Sequence, residues 1–455
     1  MTSSTSNLLD RRAIDDLADA LTGSVVRPGD DDYDDARTVY GGVGEPAVVV
    51  RASTPADVAA AIRFARAHRL LLSVRSGGHS GSGFSTNTGG LVVDLRGLDE
   101  IEIIDEDAGL VRIGSGALWG TVATTLEASG LALSSGDTVS VGVGGLTLGG
   151  GIGWMVRSHG LALDNLLEAT VVTADGAVLT VGPDKHPDLF WAMRGGGGNF
   201  GIVTSFVFRA HRLNGVYAGL IRYGSDRLAA VLAGWRSVMR DAPEELNTTF
   251  VSMPDFPGMP GGVQLFVCFA GDDEAAASAA VAPLLALPGL VSADIEPKPY
   301  ADILEEAHPP EGMVPVINNA FARELSDELI AGLDALYESL AGSVLMIRSL
   351  SGAFNRVPAA ATAFPWRDSE ALVISAAFLP PDAPAGSAER INEEWGRLST
   401  HLQGLYGGFS AAKPGEATER LYPPEVLDRL SAIKHTYDPD NVFSQNHNIR
   451  PVPPR

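Results

Sequence analysis

The stretch Arg75-Ser-Gly-Gly-His-Ser-Gly-Ser-Gly83 decides which fold the sequence predicts. It directly follows the apolar residues 70–74, which have the pattern of a buried strand. A loop this rich in glycine lets several backbone N–H groups point to one side, where they can bind a phosphate or pyrophosphate. Arg75 would add a positive charge beside that group. We therefore expect an anion-binding loop at the end of this strand.

The residues before this loop have the pattern of a βαβ unit. Residues 46–50 form an apolar strand, and Thr54-Pro-Ala-Asp57 carries the cap, the first-turn proline and the acidic residue that begin a helix. Further strands are predicted after the loop, at residues 91–95, 101–104 and 110–113. The predicted sheet is therefore mixed and not purely doubly wound.

Glycine is concentrated in three places. The first glycine segment is residues 75–83, the second is residues 135–153, and the third is Arg194-Gly-Gly-Gly-Gly-Asn-Phe-Gly201. We expect the three to meet in space. The third contains the spacing Gly-x-Gly-x-x-Gly, but it precedes the strand at residues 202–208, whereas a dinucleotide-binding fingerprint follows one. The spacing alone is therefore no evidence of a Rossmann fold.

The amino-acid composition changes after about residue 213, where alanine, leucine and proline become frequent. Helical and strand patterns alternate from there onward, which predicts a second lobe of α+β type. The predicted helices are residues 229–238, 326–340 and 424–433, and the clearest strands are residues 263–270 and 371–378.

The charge of the chain excludes several kinds of partner. Its 455 residues include 33 Lys and Arg against 56 Asp and Glu, a net charge of −23, which argues against nucleic acid and anionic membranes as partners. No apolar run approaches the ~18 residues of a membrane span. The first residues have neither a basic start nor a sustained apolar stretch, so we expect a cytoplasmic protein.

Cysteine and histidine usage narrows the chemistry further. Cys268 is the single cysteine, which excludes an internal disulfide and multi-thiolate metal motifs, and we expect it in the core. The nine histidines have no metal-ligand spacing, so we predict no metal site. His79 stands out because it lies inside the first glycine segment, beside whatever that loop binds. A loop histidine that only forms surface hydrogen bonds is the alternative interpretation.

Four stretches carry a family pattern: the first glycine segment, residues 141–153, residues 188–204, and residues 437–449 with Tyr-Asp-Pro-Asp-Asn-Val-Phe at their start. Together they resemble the FAD-linked oxidases of the berberine bridge enzyme group, within the vanillyl-alcohol oxidase superfamily. The resemblance covers about residues 40–208 and 422–449, and the middle of the chain matches loosely.

The resemblance implies an α+β, two-lobed, PCMH-type FAD-binding fold with an inserted α+β substrate domain. We expect the FAD-binding domain in residues 1–211 and the substrate-binding domain in residues 212–415. A C-terminal berberine-bridge-type segment, residues 416–455, would return to the FAD domain. The flavin ring would lie between the two lobes.

The resemblance also implies roles for individual residues. His79 matches the histidine that bonds covalently to the flavin 8α-carbon, where an imidazole withdraws electrons from the ring and prevents loss of the cofactor. Many relatives have a second link through a cysteine, and Thr138 occupies that position here, so we expect a single linkage. The other residues expected to bind FAD are Arg75, Ser76, Gly77, Gly78, Ser80, Gly83, Val141, Gly144, Gly145, Gly149, Gly151, Gly153, Asn199, Gly201, Ile202, Val203, Asn446 and Asn448.

The resemblance also bears on three further positions, at some of which the chain differs from the family. Val141 matches a position whose small side chain leaves room for dioxygen, which favours an oxidase. Leu146 stands where many members have a histidine that bonds the flavin. Tyr406 is the candidate catalytic base, although Gly408 replaces the asparagine of the usual Tyr-x-Asn stretch.

The expected activity is that of an FAD-dependent oxidase. Hydride would leave a carbon that bears OH or N in a small, largely neutral substrate, and O2 would become hydrogen peroxide. A flavin-linked dehydrogenase with another acceptor and a flavin-binding protein without turnover remain alternatives. The oligomeric state is not encoded in any pattern. Candidate substrate-wall residues, which core packing would explain equally well, are Phe256, Phe266, Phe354, Phe364, Trp366 and Phe409.

Overall fold

A computed structural model describes residues 9–224, 228–255, 261–306, 312–340 and 343–453 of the chain. Phe256, one of the expected substrate-wall residues, lies outside these ranges. The helices are α1 (Arg11–Asp19), α2 (Tyr33–Arg37), α3 (Pro55–His68), α4 (Trp119–Glu127), α5 (Val143–Gly149), α6 (Val156–His159), α7 (Pro187–Met193), α8 (Leu228–Asp241), α9 (Glu274–Leu285), α10 (Asp327–Ser339), α11 (Ala353–Arg356), α12 (Ser387–Gly396), α13 (Thr418–Leu421) and α14 (Pro424–Tyr437).

The strands are β1 (Ser24–Val26), β2 (Thr38–Val39), β3 (Gly42–Val43), β4 (Val48–Arg51), β5 (Leu72–Arg75), β6 (Leu91–Asp94), β7 (Ile101–Asp105), β8 (Leu110–Gly114), β9 (Leu131–Ala132), β10 (Leu166–Val172), β11 (Val178–Val181), β12 (Ile202–Arg209), β13 (His211–Arg212), β14 (Val216–Tyr223), β15 (Leu246–Met253), β16 (Gly262–Phe269), β17 (Leu290–Lys298), β18 (Val314–Ala322), β19 (Val344–Ser349) and β20 (Ala371–Leu379).

The predicted βαβ unit is present and belongs to a four-stranded sheet of order β1-β4-β6-β5. The side chain of Thr54 accepts a hydrogen bond from the N–H of Asp57 at 3.2 Å, and the Asp57 carboxylate accepts one from the N–H of Thr54 at 3.0 Å. This capping box begins α3 as the sequence predicted. The apolar side of α3, with Val58 and Ile62, packs on the sheet.

The sheet that contains the βαβ unit is mixed, as predicted, because β1 pairs antiparallel with β4. The strands predicted at residues 101–104 and 110–113 are β7 and β8, which belong to a second sheet. In the first, β4 and β5 both pair in parallel with β6, which lies between them. The second has five strands in the order β11-β10-β12-β8-β7, all antiparallel. The helical crossover α3 allows parallel strands, whereas short connections such as the one between β7 and β8 permit only antiparallel ones.

The second lobe is built on a seven-stranded antiparallel sheet of order β17-β14-β16-β15-β19-β20-β18. Leu345 and Ile347 of β19 pack with residues of α8, α9 and α10 on one face. Met346 and Arg348 alternate with them and therefore lie on the opposite face. Met346 packs there against an apolar cluster that includes Leu161, Leu163 and Tyr406. The predicted α+β character of this lobe is confirmed.

The C-terminal segment is held against the third glycine segment by a buried ion pair. The helix predicted for residues 424–433 is α14, which extends to Tyr437. Lys434 on this helix donates to Asp438 at 2.7 Å, to the Asn199 carbonyl at 2.7 Å and to the Phe443 carbonyl at 2.9 Å. Both charged side chains are fully buried. A buried charge needs such partners, so the end of the chain is fixed beside residue 199. The domain boundaries at residues 212 and 416 stay a prediction.

Among the described residues, no helix combines the length and the apolar surface that crossing a membrane requires.

Cys268 is fully buried, as expected, and burial raises the pKa of its thiol to about 12.

Candidate functional site

The first and second glycine segments touch through their backbones. A Cβ atom added to Gly77 would lie 2.3 Å from the nitrogen of Gly142, and one added to Gly142 would lie 2.1 Å from the nitrogen of Gly77. Only glycine at both positions permits this approach. The third segment joins them, because the N–H of Gly195 donates to the Leu148 carbonyl at 3.0 Å. The expectation that the three segments meet is therefore confirmed.

The second glycine segment includes a helix that the glycine content did not predict. Gly142 is the N-cap of α5, which comprises Val143–Gly149. A glycine inside a helix costs about 1 kcal/mol relative to alanine, so packing must stabilise this one. Gly145 and Gly149 are four residues apart on one side of α5, and a Cβ added to either would have no neighbour within 4 Å. This side of α5 is therefore bare backbone beside open space.

In the first glycine segment, Arg75 binds protein backbone. Its guanidinium donates to the carbonyls of Asp35 and Ala36 at 2.8 and 3.1 Å, and the residue is 7% exposed. Ser76 donates to the Ser115 carbonyl at 2.6 Å. These contacts fix the loop to its surroundings. The charge of Arg75 lies against carbonyl groups, which differs from the expected placement beside a phosphate.

His79 lies in a cluster of three other side chains. Its ring stacks on Tyr40, with centroids 5.4 Å apart, and its Nε2 lies 2.7 Å from the hydroxyl of Ser140. That hydroxyl donates to the Glu306 carboxylate at 2.6 Å. Burial and then the Glu306 carboxylate raise the pKa of Tyr40. His79 is thus held in a fixed orientation at the meeting point of the first two glycine segments.

Thr138 and Val141 flank Ser140 in the second glycine segment. Thr138 forms an isolated parallel bridge with Glu305 of the second lobe. Val141 packs at the edge of the core, and its carbonyl accepts from the N–H of Trp119 at 3.0 Å. Both therefore lie in the part of the loop that approaches His79.

Several of the other expected cofactor residues pack closely against protein. A Cβ on Gly153 would lie 2.2 Å from the Ser135 carbonyl oxygen, and one on Gly201 would lie 2.5 Å from Val171. The residues placed in close backbone packing or in the core are Gly144, Gly151, Gly153, Gly201, Ile202 and Val203. Their binding of a cofactor stays a prediction, as it does for Gly78, Ser80 and Gly83 at the loop.

The C-terminal residues 446–448 present buried acceptor atoms. Asn446 donates to the Gly198 carbonyl at 3.1 Å, and Asn199 donates to the His447 carbonyl at 3.3 Å, so this stretch lies on the third glycine segment. The Oδ1 atoms of Asn446 and Asn448 and the Nδ1 atom of His447 are buried without a hydrogen-bond partner among the described residues. Burial lowers the pKa of His447. Unsatisfied buried acceptors on three consecutive residues indicate a missing hydrogen-bond donor.

Tyr406 reaches the second glycine segment from the other lobe. Its hydroxyl accepts a hydrogen bond from the N–H of Gly151 at 3.1 Å, and the residue is 6% exposed. Burial raises the pKa of Tyr406, and the N–H groups of Gly151 and Ile152 and the cation of Arg348 offset part of that rise. Its ring lies edge-on to Phe364 and Phe409.

Gly408 explains how this tyrosine is placed. A Cβ at position 408 would lie 2.7 Å from Cε1 of Tyr406 and 3.2 Å from its hydroxyl oxygen. The asparagine of the usual pattern would therefore displace the ring. Absence of a side chain at Gly408 allows Tyr406 to occupy its position.

The remaining expected wall residues form an apolar cluster around Tyr406. Phe354 and Phe364 are buried within it, and Trp366 and Phe409 pack at its edge. Phe266 is not a member of this cluster. It lies two strands away from Arg348 in the seven-stranded sheet, because it pairs with Thr249, which pairs in turn with Arg348.

One charged pair lies between the lobes at this place. Arg348 of β19 contacts Asp137 of the second glycine segment at 2.5 Å, with side-chain exposures of 10% and 27%. The guanidinium also lies 5.3 Å from the centre of the Phe409 ring. The pair neutralises a buried cation and joins the seven-stranded sheet to the glycine segment.

The residues that organise the site without having been predicted are Tyr40, Ser140, Glu306, Arg348 and Asp137. Ser140 lies two positions after Thr138, so the motif itself could have indicated it. Glu306 is 166 residues away from Ser140, and no local pattern indicates that contact. Only tertiary structure reveals it.

Two family models and several known proteins match this chain. Residues 46–182 match the family described as FAD binding domain, and residues 398–450 match the family described as berberine and berberine like. The uncharacterized FAD-linked oxidoreductase YgaK of Bacillus subtilis is 31% identical over 95% of this chain and 98% of that protein. The (R)-6-hydroxynicotine oxidase of Paenarthrobacter nicotinovorans is 31% identical over 95% of this chain and 97% of that protein.

A solved structure shares the fold as well. The crystal structure of 6-hydroxy-D-nicotine oxidase from Arthrobacter nicotinovorans matches with a TM-score of 0.84 at 29% identity, over 95% of this chain and 98% of that one. The fold and the site define a flavin-dependent oxidoreductase. The chain belongs to the berberine bridge enzyme-like family of FAD-linked oxidoreductases. The predicted family and the predicted PCMH-type fold are confirmed.

The described residues fit FAD as the cofactor. The bare side of α5 and the open space at Gly197 and Gly198 leave room for a large flat group. The acceptor atoms of residues 446–448 require donors, which the ring N–H and the ribityl hydroxyls of FAD possess. Glycine backbone N–H groups in the first segment suit its pyrophosphate.

The close contact between the first two segments gives a test of this site. Gly77→Ala should destabilise the protein by about 1–3 kcal/mol, because the new methyl group would overlap the Gly142 backbone. The bound FAD per chain should fall with it. Urea unfolding and flavin absorbance measure the two effects.

Gly396→Ala is the matched control, since a Cβ there would meet nothing within 4 Å. Its unfolding free energy should equal that of wild type or exceed it by up to about 1 kcal/mol, because alanine is favoured over glycine in helix α12. Equal effects of the two alanine substitutions would contradict the close approach of the segments.

Proposed function

We propose that this protein is an FAD-dependent oxidase that carries its flavin on His79 and passes electrons to O2, giving hydrogen peroxide. The observation that carries the proposal is the meeting of three glycine segments around a histidine held by Tyr40 and Ser140. When bound, FAD supplies a two-electron acceptor for hydride. The protein's own residues bind it, orient it and exclude water.

A single covalent link is proposed because Thr138 stands where a second link would need cysteine. The one cysteine, Cys268, is buried in the second lobe, with its thiol pKa raised to about 12 by burial. It packs there with Met155 and Tyr300. No other thiol exists in the chain.

We propose a small, largely neutral substrate that binds beside Tyr406. The nearby walls are apolar, with Phe364 and Phe409 next to the tyrosine ring. Arg348 is neutralised by Asp137 and therefore offers little attraction to an anion. The 6-hydroxynicotine oxidase among the relatives acts on a compound of this size, which supports the proposal. An OH or NH group of the substrate would hydrogen-bond to the Tyr406 hydroxyl.

Oxidation of a C–H bond next to O or N also requires a proton to leave that O or N. Tyr406 is proposed to receive it. Burial raises the pKa of this hydroxyl, and the Gly151 N–H, which donates to its oxygen, offsets part of that rise. Val141, with its short side chain beside His79's partner Ser140, leaves room for O2 in this proposal.

Reduction and reoxidation of the flavin test the proposal. Holoenzyme reduced without air, by light or by a substrate from a panel of neutral alcohols and amines, should reoxidise rapidly when air is admitted. One peroxide should form per substrate consumed, measured with a peroxidase-coupled dye and an oxygen electrode. Slow reoxidation that an artificial acceptor accelerates would instead indicate a dehydrogenase. Failure of every substrate to reduce the flavin would favour a binding protein without turnover.

Removing the Tyr406 hydroxyl should slow turnover about 10²- to 10⁴-fold, the usual contribution of a positioned base. Burial raises the pKa of this hydroxyl, so the ionised, proton-accepting form increases only in the alkaline range. The wild-type kcat/KM should therefore rise with pH there, and in Tyr406→Phe the rise should disappear. Steady-state kinetics across pH measure both effects.

Tyr337→Phe is the matched control, because Tyr337 lies on α10, which packs on the other face of the sheet. Its pH profile should be that of wild type. An alkaline rise that persists in Tyr406→Phe would show that another group accepts the proton.

A further inference from the structure

Ser140 connects His79 to a carboxylate from the other lobe. The Ser140 oxygen lies 2.7 Å from Nε2 of His79 and donates its hydrogen to Glu306 at 2.6 Å. Both distances are those of strong hydrogen bonds. The three side chains therefore form one continuous chain of hydrogen bonds.

The backbone holds this arrangement in place. The N–H of Glu305 donates to the Asp137 carbonyl at 3.0 Å, and the N–H of Val139 donates to the Glu305 carbonyl at 3.2 Å. These two bonds form the bridge that places the next residue, Glu306, opposite Ser140. The carboxylate is thus positioned by main-chain pairing and does not depend on a flexible side-chain contact alone.

The direction of the hydrogen bonds determines which nitrogen of His79 carries the proton. A serine hydroxyl has one hydrogen, and that of Ser140 is given to the carboxylate. Its oxygen can then only accept from His79, so the imidazole donates from Nε2–H. In a neutral imidazole the other nitrogen, Nδ1, then carries the lone pair.

We propose that Glu306 and Ser140 prepare His79 to form its covalent bond to FAD through Nδ1, with Glu306 accepting the imidazole proton by way of Ser140. The inference rests on the proposed histidyl attachment of FAD. Ser140 and Glu306 are positioning residues, because neither needs to touch the cofactor. Their function is completed once the bond has formed.

The attachment balances with O2 as the oxidant. Nδ1 of His79 gains a bond to the carbon of the flavin 8-methyl group, which loses one hydrogen. The imidazole loses its Nε2 hydrogen through Ser140 to Glu306. Both hydrogens and two electrons finally leave with O2 as hydrogen peroxide, and the linked flavin is oxidised.

The rate of attachment tests the inference separately from turnover. Full-length chain produced under riboflavin limitation is mixed with FAD in air, and samples are denatured in acid at intervals. In-gel flavin fluorescence and an increase of the intact mass by one FAD report the covalent product. Flavin absorbance of the native protein before denaturation reports non-covalent binding.

Glu306→Gln keeps the shape of the side chain but cannot accept the proton, and Ser140→Ala breaks the connection. Both should attach FAD about 10²-fold more slowly, the scale of a lost base, while native binding is kept. Ser140→Thr, which retains the hydroxyl, should restore the wild-type rate. Glu305→Gln is the matched control, because its backbone forms the bridge while its side chain is exposed.

Attachment at the wild-type rate in Glu306→Gln would overturn the inference while leaving the histidyl linkage intact. Loss of native FAD binding in that variant would overturn it as well, since it would assign Glu306 to folding or to affinity. Release of all flavin from acid-denatured wild type would instead refute the linkage itself, and with it the proposed function of His79.

Discussion

The structure depends on the contact between two glycine backbones, Gly77 and Gly142. An added Cβ on either would come within 2.1 to 2.3 Å of the other's nitrogen, so no larger residue fits. This contact brings the loop after β5 against the N-terminus of α5. His79 lies two residues from one partner of the contact and Ser140 lies two from the other, which places their side chains 2.7 Å apart. The geometry around the histidine thus follows from glycine's lack of a side chain.

Both lobes contribute side chains to the same place. Glu306 and Arg348 come from the second lobe, and they contact Ser140 and Asp137 of the second glycine segment at 2.6 and 2.5 Å. Tyr406 contacts the backbone of that segment at Gly151. A cofactor bound along the glycine segments would therefore meet substrate at a surface that neither lobe forms alone. Insertion of the second lobe into the chain is what makes this possible.

Local patterns predicted those parts of the molecule that local interactions determine. The Thr54 capping box, α10 with its Ser326 cap, and the sequence of strands in the first lobe are all of this kind. The division into two sheets could not be read from the chain, because strand pairing depends on contacts between distant segments. Helix α5 was missed since its glycine content disfavours a helix, and packing overrides that preference.

The candidate site, too, could be predicted from the sequence only in part. The first glycine segment and His79 stood out in the sequence because their composition is unusual at a strand end. The contacts of His79 with Tyr40 and Ser140 join residues 39 and 61 positions away from it, and Glu306 is further still. Such contacts leave no periodic or compositional trace. The sequence therefore indicated where the candidate site lies, and the structure revealed the side chains that surround His79.

The measurement that tests this account most directly is the fate of the flavin when the protein unfolds. Purified wild-type protein and His79→Ala would each be loaded with FAD, shown to bind it in the native state, and then denatured in acid. Flavin fluorescence should stay with the wild-type polypeptide and be released completely from the variant. Flavin that washes away from both would contradict the covalent assignment of His79, and retention by the variant would place the link on another residue.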